Sequence, residues 1–166
     1  MTTPLIQFKS VSKAFKGHPV LRGIDLAIYQ GQITTIIGKS GGGKSVLLKH
    51  IIGLLNPDEG SVTIDGQCLA KLSRGDRKRL RRRFSYMFQD SALFDSMTVG
   101  ENVGLPLVKH GRKSDEEIRE IVLEKLRLIG LTDVYDSYPS QLSGGMKKRV
   151  GLARAIVMEP QVVLYD

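Results

Sequence analysis

The feature that most constrains this chain is a glycine-rich loop that fits the pattern G-x-x-x-x-G-K-[ST]. Its residues are Gly38, Lys39, Ser40, Gly41, Gly42, Gly43, Lys44 and Ser45. An apolar, β-branched run from Ile33 to Ile37 precedes the loop, and a helical pattern from Ser45 to Gly53 follows it. Strand, loop and helix in this order are the setting that a phosphate-binding loop requires.

The residue types in this stretch, which we call the nucleotide loop, suit a phosphate chain. Glycines let the backbone approach closely and turn successive N–H groups inward, and the N-terminus of the following helix adds positive potential. Lys44 can reach the β- and γ-phosphates, and the Ser45 hydroxyl can ligate Mg²⁺. We therefore expect the chain to bind a nucleoside triphosphate. The alternative is a glycine-rich turn that binds no ligand.

Composition narrows the class of protein. The chain has 166 residues, of which 41% are hydrophobic, which is enough for one domain with a substantial core. No apolar run is long enough to cross a bilayer, and the residues from Met1 to Pro4 do not resemble the start of a signal peptide. The single cysteine, Cys68, suits a reducing compartment, so we expect the cytosol.

The net charge of +8 is concentrated in one segment. Residues 71–83 hold eight Lys or Arg residues and a single acid, Asp76, so the rest of the chain is close to neutral. This segment contains no aromatic residue that could stack on a base. We favour a solvated helix or turn over attraction to a membrane surface, and we expect no specific nucleic acid partner.

The residues before the nucleotide loop predict two short strands, Ile6 to Lys9 and Leu21 to Tyr29, with a turn at Gly17 to Pro19. Phe15 lies in a polar stretch between them. An aromatic residue in that position is either part of the hairpin core or a platform for a base ring.

The middle of the chain predicts two further strands and one well-capped helix. The strands are Ser61 to Gly66 and Phe84 to Phe88, and the second ends at Gln89, at the carboxyl end where ligands gather in α/β proteins. Ser114 and Glu117 fit a capping box for a helix that reaches Gly130.

A second glycine-containing helix start follows near the end of the chain. Its residues are Leu142, Ser143, Gly144, Gly145 and Met146, with Ser143 as the predicted N-cap. Two glycines weaken a helix start, so they indicate that an anion approaches this backbone closely. The last run, Val162 to Asp166, predicts a buried parallel strand that ends in a carboxylate. In proteins with a phosphate-binding loop of this kind, an aspartate at the end of such a strand helps hold Mg²⁺.

Together these motifs resemble the nucleotide-binding domain of ATP-binding-cassette (ABC) proteins. The nucleotide loop resembles the Walker A sequence of that family, Leu142 to Met146 its signature sequence, and Val162 to Asp166 its Walker B strand. Gln89 resembles the Q-loop glutamine, and Phe15 matches the aromatic residue that stacks on adenine.

The resemblance implies an α/β fold of the P-loop NTPase type, with a mostly parallel core sheet, a flanking antiparallel sheet and a helical subdomain. The expected parts of this single domain are residues 1–89, a helical subdomain at 90–159 and a returning core strand at 160–166. The implied cofactors are ATP and Mg²⁺. The implied catalytic residues are Lys44 and Gln89, and the implied metal ligands are Ser45, Gln89 and Asp166.

The implied function is ATP hydrolysis coupled to transport, in a head-to-tail dimer with a second ABC ATPase subunit. The implied partner is an integral membrane permease, and the implied location is the cytoplasmic face of the inner membrane. One alternative is an ABC ATPase that acts on nucleic acid or ribosomes. Another is a P-loop kinase or GTPase, which would leave Leu142 to Met146 unexplained.

Within the family, some segments resemble the branch that energises lipid transport, the Mla or toluene-tolerance group. The matching segments are Lys44 to Lys49, Phe88 to Val99 and Glu101 to Val103, together with Met146. This narrower resemblance implies a phospholipid or another hydrophobic substrate and an MCE-type partner. The family continues beyond the Walker B aspartate with a catalytic glutamate and a switch histidine, so we expect this sequence to be part of a longer protein and to bind ATP without turnover on its own.

Overall fold

The computed structural model describes residues 3–87, 92–111 and 113–166. The chain forms two compact units that divide between Arg82 and Arg83. Among the described residues, no helix combines the length and the apolar character needed to span a bilayer.

The first unit is built on a four-stranded antiparallel sheet in the order β2-β1-β3-β4. Its elements are β1 (Ile6–Phe15), β2 (His18–Ile28), α1 (Lys44–Ile51), β3 (Glu59–Ile64), β4 (Gln67–Cys68), a 3-10 turn (Leu69–Lys71) and α2 (Arg74–Arg81). Ile6, Phe8 and Ile64 are almost fully buried on this sheet. The sheet therefore provides the core of the unit.

The hairpin β1–β2 is longer than the sequence predicts. Pairing continues to Phe15 and His18, and the connection consists of Lys16 and Gly17, both with positive φ. Two such residues match the right-handed twist of an antiparallel pair, so the strands stay paired up to the tip. Pro19 is tolerated in β2 because β2 lies at the edge of the sheet.

The predicted strand before the nucleotide loop is not formed. Residues 32–39 have no regular secondary structure, and the side chains of Ile33 and Ile37 are 98% and 92% exposed. A strand exists only where a neighbour accepts its hydrogen bonds, and no described segment pairs with residues 33–37. A β-branched composition indicates a preference for a pleated surface and does not supply that neighbour.

The second unit combines a two-stranded parallel sheet with three helices. Its elements are β5 (Phe84–Met87), α3 (Val99–His110), α4 (Asp115–Leu128), a 3-10 turn (Pro139–Gln141), α5 (Gly144–Ile156) and β6 (Val162–Tyr165). The helices enclose an apolar cluster made of Val99, Val103, Leu107, Ile118, Val122, Leu126, Leu131, Val134, Leu142, Val150, Ala153 and Val157. This cluster is the core of the unit.

The predicted helix at 114–130 is confirmed as α4. The Ser114 side chain accepts from the backbone N–H of Glu117, and the Glu117 side chain accepts from the N–H of Ser114. Gly130 follows the helix with φ 68°, the left-handed conformation typical of a residue just past a helix end. Both ends of α4 are thus encoded locally.

Candidate nucleotide-binding site

The nucleotide loop ends in a helix start that no side chain caps. Gly43 is the N-cap of α1, and the first helical hydrogen bond runs from Leu47 N–H to the Gly43 carbonyl at 2.9 Å. Among the described residues, the N–H groups of Gly41, Gly43 and Lys44 have no acceptor. Such a group of donors at a helix N-terminus favours an anion.

Two glycines of the loop are required by close packing. Gly43 has φ 88°, and a β-carbon placed there would lie 3.0 Å from side-chain carbons of Val20 and Leu21. A β-carbon on Gly42 would lie 2.9 Å from the Lys39 carbonyl oxygen, which also accepts the Gly42 N–H at 3.0 Å. The end of the loop is therefore pressed against β2.

Lys44 crosses the loop instead of extending into solvent. Its Nζ donates to the Gly38 carbonyl at 3.0 Å and to the Lys39 carbonyl at 2.9 Å. An ammonium group has three N–H donors, and the third has no acceptor among the described residues. The loop thus combines a positive charge with backbone donors, and these groups fit a polyphosphate.

Phe15 lies at the tip of the hairpin that packs against the loop. It pairs with His18, two residues before Val20, which contacts Gly43. The ring is 41% exposed, and Lys13 Nζ is 5.7 Å from its centroid. Phe15 is therefore not a core residue, which favours the second interpretation of its sequence position, a platform for a base ring.

Sequence reasoning missed Asp58, which fastens the strand that carries Phe15. The Asp58 carboxylate accepts from Lys13 Nζ and, at 2.8 Å, from the Ala14 N–H, while its own N–H donates to the Ser12 carbonyl at 2.9 Å. The hydrogen bond from Lys13, followed by that from Ala14, holds the pKa of Asp58 below its usual value. No local signal reveals this contact, because the partners lie more than 40 residues apart.

The second glycine-containing helix start is capped by a side chain. The Ser143 hydroxyl accepts from Met146 N–H at 3.3 Å, and the Ser143 carbonyl accepts from Lys147 N–H at 2.9 Å. The N–H groups of Gly144 and Gly145 have no acceptor among the described residues. The first turn of α5 also contains no acidic residue, so nothing there offsets the positive end of the helix.

Some residues of the segment Leu142 to Met146 pack into the protein, and others face open space. Leu142 is buried in the apolar cluster, and Met146 packs against it. A β-carbon on Gly144 or Gly145 would meet no atom within 4 Å, so both glycines face open space. The segment thus holds two donor N–H groups at the surface of the second unit.

Asp166 lies at the carboxyl end of β6 and is held by β5. Its N–H donates to the Met87 carbonyl at 3.0 Å, and its Oδ2 accepts from the Tyr86 hydroxyl at 2.6 Å. Burial raises the pKa of Tyr86, and the hydrogen bond to Asp166 raises it further, so Tyr86 stays a donor. Sequence reasoning missed Tyr86, because only the strand pairing brings it to Asp166.

Gln89 lies outside the described residues. The segment that resumes at Ala92 is fixed by Asn102 of α3, which is fully buried. The Asn102 side chain accepts from Phe94 N–H at 2.8 Å and donates to the carbonyls of Phe94, Met97 and Thr98. Asn102 therefore determines the path of the chain shortly after the Q-loop position.

Two of the candidate metal ligands have donor atoms that suit Mg²⁺. The hydroxyl of Ser45 and the carboxylate of Asp166 are oxygen ligands of the kind that Mg²⁺ binds. Among the described residues there is no group of three or more His, Cys, Asp or Glu side chains that could hold a metal ion.

Comparison with known proteins identifies the family. The family model described as ABC transporter matches residues 21–166. The chain belongs to the ABC transporter family. A cassette of this family, MJ0796, has a dimeric structure that is 37% identical to this chain, with a TM-score of 0.86 over 97% of this chain and 73% of that one. The predicted fold class, an ABC-type P-loop NTPase, is thereby confirmed.

Other relatives within the ABC family carry different functional names. The structure of cbiO1 from Clostridium perfringens, part of the ABC transporter complex cbiONQ, matches 99% of this chain and 65% of that one, with a TM-score of 0.87 and 31% identity. The probable ribonucleotide transport ATP-binding protein mkl of Mycobacterium leprae is 44% identical over 97% of this chain. The methionine import ATP-binding protein MetN of Brucella abortus is 39% identical over 99% of it. The chain spans about half the length of these two relatives, 46% and 44%.

Proposed function

We propose that the protein is the ATP-binding subunit of an ABC transporter, and that it binds and hydrolyses MgATP in a head-to-tail dimer. The observation that carries the proposal is the presence of two glycine-containing helix starts with donor N–H groups that have no acceptor among the described residues. In the nucleotide loop, Lys44 donates hydrogen bonds to the loop carbonyls, and in the signature sequence the two glycines face open space. The first suits the phosphates of a bound nucleotide, and the second suits the nucleotide of a partner subunit.

The roles proposed for individual residues follow from their chemistry. Lys44 and the loop N–H groups bind the β- and γ-phosphates, and Phe15 stacks on the adenine ring. Ser45, Gln89 and Asp166 would hold Mg²⁺, which neutralises charge that develops on the phosphates. Tyr86 orients Asp166 through its 2.6 Å hydrogen bond. Gly144 and Gly145 donate to the γ-phosphate of the partner's nucleotide.

The proposed substrate is a phospholipid or another hydrophobic molecule, delivered through an integral membrane permease and an MCE-type partner. This part rests on the sequence segments Lys44 to Lys49, Phe88 to Val99 and Glu101 to Val103 and on Met146, which resemble the lipid-transport branch. The relatives named above carry the words ribonucleotide and methionine, so similarity at about 40% identity does not select a substrate. The proposed location is the cytoplasmic face of the membrane.

The binding site is tested by nucleotide titration of Lys44→Ala. Loss of a charge-assisted contact costs about 1.5–3 kcal/mol, which lowers ATP affinity by about ten- to a hundredfold. Lys49→Ala is the matched control, because Lys49 lies in the last turn of the same helix and is exposed. Lys49→Ala should bind ATP like the unmodified protein. Equal affinity of the two variants would contradict the assignment of the nucleotide loop.

A further inference from the structure

The helix α2 carries a stripe of positive charge that the proposed ATPase function does not use. Arg74, Arg77, Lys78 and Arg81 follow the spacing i, i+3, i+4, i+7, which places them on one face of the helix. Leu80 is the buried residue of α2 and lies off this face. A helix of this length presents the stripe, which we call the arginine stripe, over about 12 Å.

Most of the stripe has no acidic partner in the part of the chain that the structure describes. The acid of α2, Asp76, is used at the helix start, where its carboxylate accepts from the Ser73 hydroxyl at 2.6 Å. Among the described residues, Arg74, Lys78 and Arg81 form no ion pair with an acid. Arg74 even lies in the first turn, where a cation opposes the helix dipole. Local helix stability therefore does not account for its charge.

Arg77 has a different role from the other members of the stripe. Its Nε donates to the Leu72 carbonyl at 3.3 Å, and its Nη2 donates to the Ala70 carbonyl at 3.2 Å. These bonds fix α2 against the preceding 3-10 turn. Leu72, Arg74, Arg77 and Arg81 line an open groove of about 570 Å³. The guanidinium groups are thus arranged along a concave surface that can receive phosphate groups.

We infer that the arginine stripe, for which the sequence alone favoured a merely solvated helix, docks on an anionic phospholipid surface and binds the lipid phosphates. Charge complementarity favours this partner, because several cations on a short helix face match a surface that carries many fixed phosphates. Nucleic acid is the competing polyanion. Proteins that bind single strands add aromatic side chains on which bases stack, and residues 71–83 include none.

The structure also predicts the type of membrane binding. The side chains of α2 expose no large apolar residue, so the helix has nothing to insert among the acyl chains. Binding is therefore electrostatic, reversible and sensitive to salt. Each cation near an anionic surface contributes about fivefold to the partition coefficient.

The experiment measures co-sedimentation of the full-length protein with vesicles. One set is pure phosphatidylcholine, and the other contains about a quarter phosphatidylglycerol, a charge density that attracts basic segments. The test variant is Arg74→Gln/Lys78→Gln/Arg81→Gln, which leaves Arg77 and its backbone contacts intact. The control variant is Lys9→Gln/Lys16→Gln/Arg22→Gln, which removes the same charge from exposed positions of the same unit.

The expected result is binding to the anionic vesicles alone, reduced about a hundredfold in the stripe variant and little in the control variant. Nucleotide binding should be unchanged in both, which shows that the variants are folded. If both variants lost vesicle binding equally, net charge alone would explain the binding, and the inference would be overturned. Duplex DNA or RNA that binds the protein more tightly than the vesicles, with loss in the stripe variant, would overturn it in favour of a nucleic acid partner.

Discussion

The nucleotide loop and the signature segment, Leu142 to Met146, both place glycines at a helix N-terminus, yet they are held in opposite ways. In the nucleotide loop the glycines are packed against the protein, since Gly42 and Gly43 leave no room for a β-carbon. In the signature segment Gly144 and Gly145 face open space, and Leu142 provides the anchor. In the nucleotide loop, glycine lets the backbone pack closely against the rest of the protein. In the signature segment, glycine leaves the backbone open to close approach by another molecule.

The two helix starts also differ in capping. Gly43 offers no side-chain acceptor, and Lys44 closes the loop by donating to its carbonyls. Ser143 caps Met146, so one orphan N–H of α5 is satisfied and those of the two glycines remain. The nucleotide loop is therefore closed on itself by Lys44, whereas the signature segment presents two donor N–H groups to open space.

The largest expected effect concerns the anchor of the signature segment. Leu142→Ala removes a side chain buried in the apolar cluster, and such truncations cost about 2–5 kcal/mol of unfolding free energy. Leu152→Ala on α5 is the matched control, because Leu152 is 36% exposed. Urea denaturation should show a clear loss for Leu142→Ala and a smaller one for Leu152→Ala. Equal losses would mean that Leu142 does not anchor the segment.

The next prediction concerns the glycines themselves, and it gives opposite changes in stability for alanine at the two helix starts. Gly43→Ala forces a side chain into left-handed backbone and into contact with Val20 and Leu21, at a cost of about 1–2 kcal/mol for the backbone alone. Gly145→Ala has ordinary helical geometry and free space, so it should stabilise by about 0.4–1 kcal/mol. Thermal unfolding of both variants is the measurement. Destabilisation by Gly145→Ala as large as that by Gly43→Ala would remove the distinction between the two helix starts.

A smaller effect concerns the cap. Ser143→Ala leaves the Met146 N–H without its acceptor and should cost about 1 kcal/mol of unfolding free energy. Ser143→Thr retains the hydroxyl and should recover most of the loss. Ser140→Ala, three residues earlier and exposed, should have no measurable effect in the same assay. A Thr variant as unstable as the Ala variant would exclude capping as the cause.

The smallest effect is a pH dependence in the first unit. Because Lys13 lowers the pKa of Asp58, the pair stabilises the folded protein above the unfolded carboxyl pKa of about 3.9 and loses that contribution as the pH falls through the folded pKa. The stability difference between the unmodified protein and Asp58→Asn should therefore be constant near neutral pH and shrink below about pH 4. Asp58 is exposed, so screening keeps the difference small.

Urea unfolding at a series of pH values measures this contribution of Asp58, with Asp65→Asn as the control from the same unit. A difference that grows as the pH falls would show that the Lys13 contact does not stabilise the carboxylate.

Local patterns predicted much of this fold. The capping box of α4 and the cap of α5 by Ser143 are determined by neighbouring residues, so they could be derived without a structure. The strand β6 was predicted at the right place and is parallel to β5, but the prediction that it is buried was wrong, because only Leu164 of it is buried. The unformed strand at 33–37 could not, because its state depends on a partner strand and its composition says nothing about one.

The site was predictable only in part. The glycine pattern predicted the nucleotide loop and the signature segment as phosphate-binding helix starts. The structure forms a helix start at each, with donor N–H groups that have no acceptor among the described residues. Asp58, Tyr86 and Asn102 were not recognised, since their roles arise from contacts that the fold creates. For Asp58 and Tyr86 these contacts join residues 44 and 80 positions apart.

The central claim is that the nucleotide loop of one subunit and the signature segment of another act on the same ATP. The direct measurement is phosphate release by a mixture of two full-length variants, Lys44→Ala and Gly145→Glu. Each variant alone has no intact site. In a mixed dimer, the intact loop of one chain meets the intact signature segment of the other.

Random mixing makes half of the dimers mixed, and each mixed dimer has one intact site, so the account predicts about a quarter of the unmodified activity. The variants measured separately should show almost none. Activity in the mixture no higher than in the separate variants would contradict the claim and would place both segments on the nucleotide of their own chain.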